Sequence, residues 1–206
     1  ASTAGPYVDM VGYSEQNRGD AEMSGRLMPV ERRVTSQQGV TFTWLANEFD
    51  TKARATSVTR ASSLGTSRTE TTVYQDIAAK WVLSLVKNVT DAGTGMVMQA
   101  NSYDPANGNL LTTRHFGLLK ETRSYNPDGT LATKADGKGQ TTSFSNYKLG
   151  LAQNVSYADN SSESAVVNNI GLITSTTDAA GFTTNYDYDI AGRLNLIRYP
   201  AGDPVA

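Results

Sequence analysis

Hydrophobic and polar residues alternate along much of the chain. Residues 40–44, 183–188 and 193–196 follow this period of two. Successive side chains of a β-strand point to opposite faces of a sheet, so the alternation predicts half-buried strands. Residues 75–87 show some helical spacing, but the run at 81–86 suits a strand better, which leaves room for one short helical turn at most. The pattern therefore predicts an all-β chain.

Glycines recur at a fixed interval in the second half of the chain, each 21 residues after the one before. Further turn signals, rich in Gly, Asp, Asn or Ser, lie between successive members of the series. Two turns per repeat leave two strands of about seven residues, so each repeat predicts one β-hairpin. We therefore expect an extended, twisted antiparallel sheet of consecutive hairpins, in which each unit covers part of its neighbour. The predicted repeat turns are at Gly108, Gly129, Gly150, Gly171 and Gly192.

The spacing of turn signals also divides the chain. Residues 1–28 contain several glycines but no regular pattern, and we expect them to be irregular. Turn signals at 37–39, 62–65 and 91–95 are about 26 residues apart and predict longer hairpins over 29–100. The 21-residue hairpin repeats then occupy 101–206.

Composition then narrows the possible functions. The chain of 206 residues has 18 Lys and Arg against 20 Asp and Glu, so its net charge is −2 and no basic excess exists to neutralise the phosphates of a nucleic acid. It has no cysteine, which excludes disulfides and thiolate metal sites, and a single histidine, which excludes a multi-histidine site. No apolar run reaches the roughly 20 residues of a membrane helix. We expect neither nucleic-acid binding nor membrane insertion.

Few residues suggest chemistry. The acidic pair in 187–189 could bind calcium, but it lacks further acidic ligands, and a structural role in a turn is the favoured interpretation. His115 could act as a general base, yet no nucleophile motif accompanies it, so we expect a surface histidine. Trp44 and Trp81 are expected to be core anchors. The sequence predicts no catalytic residue, no metal and no cofactor.

The motif near the end of the chain resembles the YD repeat of bacterial RHS proteins. The string at 181–194, Gly-Phe-Thr-Thr-Asn-Tyr-Asp-Tyr-Asp-Ile-Ala-Gly-Arg-Leu, contains the Tyr-x-Tyr-Asp-x-x-Gly-Arg-Leu pattern formed by Tyr186, Tyr188, Asp189, Gly192, Arg193 and Leu194. Tyr103-Asp104 and Tyr125-Asn126 are weaker copies, and the positions at 146–147 and 167–168 are degenerate ones. In physical terms, Asp189 is expected to bond its own turn, and Tyr186 and Tyr188 to share one face of the sheet.

The resemblance implies a structural rather than an enzymatic protein. In RHS proteins the repeats form a strip of β-sheet that winds into a hollow shell or barrel around a toxic polypeptide. By this resemblance the chain is expected to be a section of such a shell, exported by a bacterium to the cell surface or beyond. Its partners would be the enclosed toxin polypeptide and, through its sheet edges, the remainder of a longer parent chain or another copy.

A second interpretation remains open. An exported β module could hold carbohydrate or a partner protein with exposed aromatic residues. Such a module should display several aromatic side chains on one exposed face, whereas a shell strip should bury most of them. The residues that distinguish the two are Trp44, Trp81, Tyr103, Tyr125 and Tyr188.

Overall fold

The computed structural model describes residues 8–13 and 29–200 of the chain. In this part of the chain sixteen β-strands and one 3₁₀ turn, Ala78–Lys80, account for the regular structure. The strands are β1 Val8–Tyr13, β2 Val30–Gln37, β3 Val40–Phe49, β4 Ala55–Ser62, β5 Ser67–Ile77, β6 Val82–Asp91, β7 Val97–Tyr103, β8 Leu110–His115, β9 Leu118–Tyr125, β10 Leu131–Asp136, β11 Thr141–Lys148, β12 Leu151–Ser156, β13 Ser162–Val167, β14 Ile173–Thr177, β15 Thr183–Tyr188 and β16 Leu194–Arg198. The all-β fold predicted from the alternation is confirmed. The 3₁₀ turn lies within residues 75–87, the segment predicted to contain at most one short helical turn.

The chain divides into two compact units. One comprises residues 1–108 and 113–118, and the other residues 109–112 and 119–206. In the first unit β1 to β7 are hydrogen-bonded in sequence order, each antiparallel to the next. Its longest strand, β5, has 11 residues. Antiparallel pairing in sequence order makes these strands a series of consecutive hairpins, as the turn signals predict.

The second unit has the same order with shorter strands. From β9 to β16 each strand is antiparallel to its neighbour in sequence. Three of its hairpins contain a register shift directly after the turn, where Tyr125 pairs with Leu131, Val167 with Ile173 and Tyr188 with Leu194. A β-bulge at the same place in each hairpin increases the local twist in a repeated way.

Little of the described chain is buried. The buried apolar residues are Val34, Ala46, Val58 and Val167, and Ser57 is the buried polar one. A sheet normally buries one face against another layer of structure. From β2 to β16 most side chains of both faces are instead half-buried or exposed, so hydrogen-bonded strand pairing and contacts along each face stabilise the sheet.

The first 28 residues contain regular structure where the sequence predicts none. Val8–Tyr13 forms β1 and pairs antiparallel with β2. The rest of this segment lies outside the described residues, as do residues 201–206. The reason for the difference is physical: the backbone groups along the outer side of β2 provide a template on which a short apolar segment can pair without a strong pattern of its own.

Candidate functional site

The five repeat glycines all lie at hairpin turns of the described chain. Their φ angles range from +76° to +86°, a left-handed conformation in which a residue with a Cβ atom is strained. Gly150 follows Leu149, which also has a positive φ, and the two form the central residues of the turn between β11 and β12. Two consecutive positive φ angles are typical of the two-residue turn whose twist matches that of its strands.

The turn at Gly192 is organised by the carboxylate of Asp189. Its Oδ1 atom accepts hydrogen bonds from the backbone N–H groups of Ala191 and Arg193, each at 2.9 Å. The backbone of Asp189 bonds Arg193 and Gly192 in addition, and the Arg193 guanidinium bonds Oδ2 at 2.8 Å. These bonds lower the pKa of the Asp189 carboxyl, the backbone N–H of Arg193 most strongly. Asp189 therefore fixes the turn in the Asx arrangement that the motif predicts.

The same five-residue turn recurs on other hairpins. In each case an Asp or Asn Oδ1 atom accepts the N–H groups two and four residues later, and the backbone carbonyl of the same residue accepts the N–H three residues later. The members besides Asp189 are Asp50, Asp136, Asn168 and Asp178. Turn chemistry of one kind thus occurs in both units.

The two weaker motif copies form only some of the hydrogen bonds of this turn. Asp104 accepts the N–H of Ala106 with its side chain and that of Gly108 with its carbonyl. At Tyr125-Asn126 the Asn126 side chain bonds the Thr130 hydroxyl instead. Both segments still reverse the chain before the next strand.

The second recurrent feature is a tyrosine bond between neighbouring strands. The Tyr188 hydroxyl donates to the carbonyl oxygen of Ile173, the first residue of β14, at 2.7 Å. We call such a bond, from a tyrosine hydroxyl to a carbonyl of the preceding strand, a tyrosine clasp. The other clasps join Tyr74 to Ala55, Tyr103 to Val86, Tyr125 to Leu110 and Tyr147 to Leu131.

Two of these tyrosines are not prominent in the sequence motif. Tyr147 belongs to a copy that looks degenerate, and Tyr74 precedes the regular repeats, yet both form the clasp. Tyr186, a prominent motif residue, does not: its hydroxyl lies 3.1 Å from the Thr176 hydroxyl on the neighbouring strand. A spacing of about 22 residues between Tyr103, Tyr125 and Tyr147 is the signal that could have identified the clasp.

One repeat lacks the tyrosine and has another side chain in its place. Val167, at the corresponding position of β13, is 2% exposed. Its backbone N–H donates to Oε1 of Gln153 at 3.0 Å, while Nε2 of Gln153 donates to the carbonyl of Asn146 at 3.1 Å. Gln153 thus links β11 to β13 where no tyrosine is present. No motif in the sequence points to this residue.

Three of the repeat glycines, Gly108, Gly171 and Gly192, are also close to apolar side chains. A Cβ atom at Gly108 would lie 2.7 Å from Cγ1 of Val82, too close for contact, and one at Gly192 would lie 3.7 Å from Cδ1 of Leu172. Gly108 is therefore required both for its backbone conformation and for the space that Val82 occupies.

An ion-pair cluster joins the turn at Asp50 to β5. Arg54 bonds Asp50 and, at 2.6 Å, Asp76, which also bonds Lys52. The Arg54 guanidinium lies over the Tyr74 ring, 4.5 Å from its centroid. The pKa of the Asp76 carboxyl is held well below its usual range, first by the Arg54 guanidinium, then by Lys52 and the backbone N–H of Ser84. All of these groups bond one another, so the cluster fixes local structure.

The candidate binding and catalytic residues do not form a common site. Trp81, which the alternation predicts in the core, follows the 3₁₀ turn with a φ of +55° and is 86% exposed. The expectation is wrong because Trp81 ends that turn rather than continuing β6. Trp44, Tyr103, Tyr125 and Tyr188 are half-buried, and His115 is exposed at the end of β8. The five aromatic side chains thus do not form one exposed face.

The described residues show neither a metal-binding cluster nor a membrane-spanning helix. Residues 29–200 contain no cluster of three or more acidic or histidine side chains suited to a metal ion. Within the part of the chain that the structure covers, no helix has the length and apolar character to span a bilayer.

Comparison with known proteins gives a family match at the end of the chain. Residues 168–204 match the RHS repeat model. Among solved structures, that of the Photorhabdus luminescens Tc holotoxin pore is similar over 93% of this chain and 12% of the matched chain, with a TM-score of 0.54 and 11% identity. The crystal structure of TcdB2-TccC3 is similar over 95% of this chain and 13% of the matched one, with a TM-score of 0.50 and 14% identity. No curated protein sequence matches the chain.

These structural likenesses concern the fold. At 11% and 14% identity, these similarities show that a β-sheet of this fold occurs in the matched structures. They say nothing about the chemistry of this chain. The chain spans only 12–13% of the length of the two matched chains.

Proposed function

We propose, from the premise that this chain is an RHS/YD-repeat protein, that it forms a non-catalytic section of the wall of a larger shell that encloses a polypeptide. The proposal includes export of the parent protein from a bacterium and a toxin as the enclosed polypeptide. The likeness of nearly the whole strip to about an eighth of a Tc toxin chain supports a role as one section of a longer structure.

The repeated turn carries this proposal. A wall must be extended by adding equivalent units, and each unit must fix its own strand pairing without help from a central core. The Asx turns and tyrosine clasps do this with bonds inside a hairpin or between neighbouring strands. They require no buried core, which agrees with the few buried residues of the described chain. Every motif residue that bonds another group does so within the sheet.

The last strand of the described sheet, β16, supports the proposed partners. On β16, Leu194 and Leu196 are 52% and 45% exposed. Exposed edge strands with apolar side chains recruit further strands. We propose that this edge pairs with the continuation of the parent chain, and that a second copy is the alternative partner.

Protease protection tests the function in the full-length gene product. The polypeptide that follows the repeats should resist proteinase K in the intact product and be digested rapidly when it is expressed alone. A product in which Tyr125, Tyr147 and Tyr188 are all changed to Phe should lose part of this protection, whereas Tyr199→Phe, at an exposed tyrosine, should retain it. Equal digestion of the intact product and of the isolated polypeptide would exclude enclosure.

A further inference from the structure

The two faces of the second unit differ in chemistry. On one face, directly paired residues form two adjacent rows of small, uncharged polar side chains across β9 to β15. The rows are Ser124, Thr133, Ser143, Ser156 and Ser162, and Ser145, Asn154, Ser164, Thr177 and Thr183. We call this the hydroxyl face. Most of its side chains are exposed, although all are small.

The opposite face has larger and more varied side chains. Its paired residues include Arg123 and Lys134, then Phe144, Val155 and Glu163, and further on Ala165, Thr176, Thr184, Tyr186 and Ile197. We call this the mixed face. Its side chains contact one another: Lys134 bonds Glu121 at 2.8 Å, and Tyr157 bonds Glu163 at 3.0 Å. Most of them are half-buried.

The difference in exposure is the one that a curved sheet would produce. In the described structure no second layer packs on this sheet, so a side chain is shielded mainly by neighbours on its own face. Side chains converge on the concave side of a curved sheet and diverge on the convex side. Larger, mutually shielded side chains on the mixed face and exposed small ones on the hydroxyl face are therefore the pattern of a sheet that is concave toward the mixed face.

Two open cavities lie on the mixed face. A cavity of about 650 Å³ is lined by residues that include Lys134, Phe144, Val155 and Tyr157. A second one, of about 330 Å³, is lined by Val155, Glu163 and Thr176 of this face and also by Ser164 and Thr177 of the hydroxyl-face rows. The two cavities offer both charge signs, an aromatic ring and aliphatic groups to whatever lies against them.

We propose that the mixed face lines the interior of the shell and contacts the enclosed polypeptide, and that the hydroxyl face is the outer surface. This inference rests on the proposed function and adds the orientation of the wall and its contact residues. A polypeptide is the occupant whose chemistry fits, because its side chains include both charge signs, hydrogen-bonding groups and apolar groups. The two rows of hydroxyl and amide side chains suit the outside, since these side chains carry no charge and little apolar area for non-specific association.

Single-cysteine labelling tests the orientation, because this chain has no cysteine of its own. Glu163 and Ser164 are adjacent on β13, both are exposed, and they point to opposite faces. Glu163→Cys and Ser164→Cys are therefore matched variants. Each is placed in the full-length gene product, with any cysteine elsewhere replaced, and treated with a maleimide on a polyethylene glycol chain too large to enter the shell. Labelling of the same variant unfolded in urea gives the reference.

The expected result is loss of labelling at Glu163→Cys under conditions that label Ser164→Cys fully, with both labelled in urea. A second pair, Thr142→Cys and Ser143→Cys on β11, should behave in the same way and guards against a local disturbance of β13. A benzophenone maleimide at Glu163→Cys should crosslink the enclosed polypeptide, and at Ser164→Cys it should not.

The outcomes separate this inference from the proposed function. Protection of Ser164→Cys with labelling of Glu163→Cys would overturn the orientation while leaving enclosure intact. Labelling of both sites in a product whose polypeptide still resists proteinase K would also overturn the orientation alone. Labelling of both sites together with rapid digestion would overturn the proposed function as well.

Discussion

The hydroxyl of Tyr188 on β15 reaches the backbone carbonyl of Ile173 on β14 and donates a 2.7 Å hydrogen bond to it. Ile173 is the first residue of its strand, and Tyr188 is the last of the next strand. The bond thus joins the start of one strand to the end of its neighbour, beside the register shift between β15 and β16. The contact shows how a single-layer strip can fix strand pairing with few buried apolar residues.

Removal of the Tyr188 hydroxyl should destabilise the chain. Tyr188→Phe leaves the ring in place but removes the donor to the Ile173 carbonyl, so we expect the free energy of unfolding to fall by about 1 kcal/mol. Urea unfolding followed by circular dichroism measures the change. Tyr199→Phe is the control, since this tyrosine is 50% exposed, and it should change the value by less than about 0.5 kcal/mol. Equal effects of the two variants would show that the clasp is not stabilising.

The Asx turn at Asp178 predicts that replacing Asp178 with Asn destabilises the chain less than replacing it with Ala. Its Oδ1 atom accepts the N–H groups of Ala180 and Phe182, each at 2.9 Å. Asp178→Ala removes both acceptor contacts and should cost about 1–2 kcal/mol, by analogy with the loss of a helix cap. Asp178→Asn keeps the acceptor, as Asn168 does in its own turn, and should cost less. The midpoints of urea unfolding compare the two; a larger loss for Asn than for Ala would contradict the assignment.

Alanine should be tolerated less well at Gly108 than at Gly150. Both glycines have φ near +80°, so each substitution carries a backbone cost of about 1–2 kcal/mol. At Gly108 the new Cβ would also lie 2.7 Å from Cγ1 of Val82, whereas at Gly150 nothing lies within 4 Å. We expect a further loss of about 1 kcal/mol or more at Gly108, measured by thermal or urea unfolding. A smaller loss at Gly108 would mean that Val82 moves aside freely.

The Asp76 cluster predicts acid sensitivity. Because Arg54 and Lys52 hold the folded-state pKa of Asp76 below its unfolded value of about 3.9, its contribution to stability is present above that pH and is lost as the pH falls toward the folded-state value. The melting temperature of the wild-type chain should therefore drop below about pH 4. Asp76→Asn should melt lower at neutral pH and show a smaller drop on acidification. Parallel pH profiles for the two proteins would contradict this account.

Some features of the fold follow directly from particular residues. Gly150 and Gly192 could be assigned to turns because few residues other than glycine adopt a positive φ without strain, and their spacing is regular. Asp189 could be assigned to its turn because the groups that it bonds lie two and four residues away. Interactions of this kind are local, and the sequence near each residue contains both partners.

Other features could not be obtained in this way. The partner of Tyr147 is a carbonyl 16 residues away on another strand, and a backbone carbonyl has no signature in the sequence. Gln153 bonds residues 7 and 14 positions away on two different strands, which requires the register of three strands to be known. Trp81 had an alternating pattern around it, but a left-handed residue at the end of the 3₁₀ turn directs it into solvent.

The sequence by itself determined the all-β class, the hairpin repeat and the positions of its turns, because backbone conformation at a turn depends on residues that are neighbours in the chain. The tertiary structure decided which tyrosines form clasps, where Gln153 takes the place of one, and how the side chains divide between the hydroxyl and mixed faces. These depend on strand register, which is set by pairing between segments that are distant in sequence, and a shift of one residue would move every side chain to the other face.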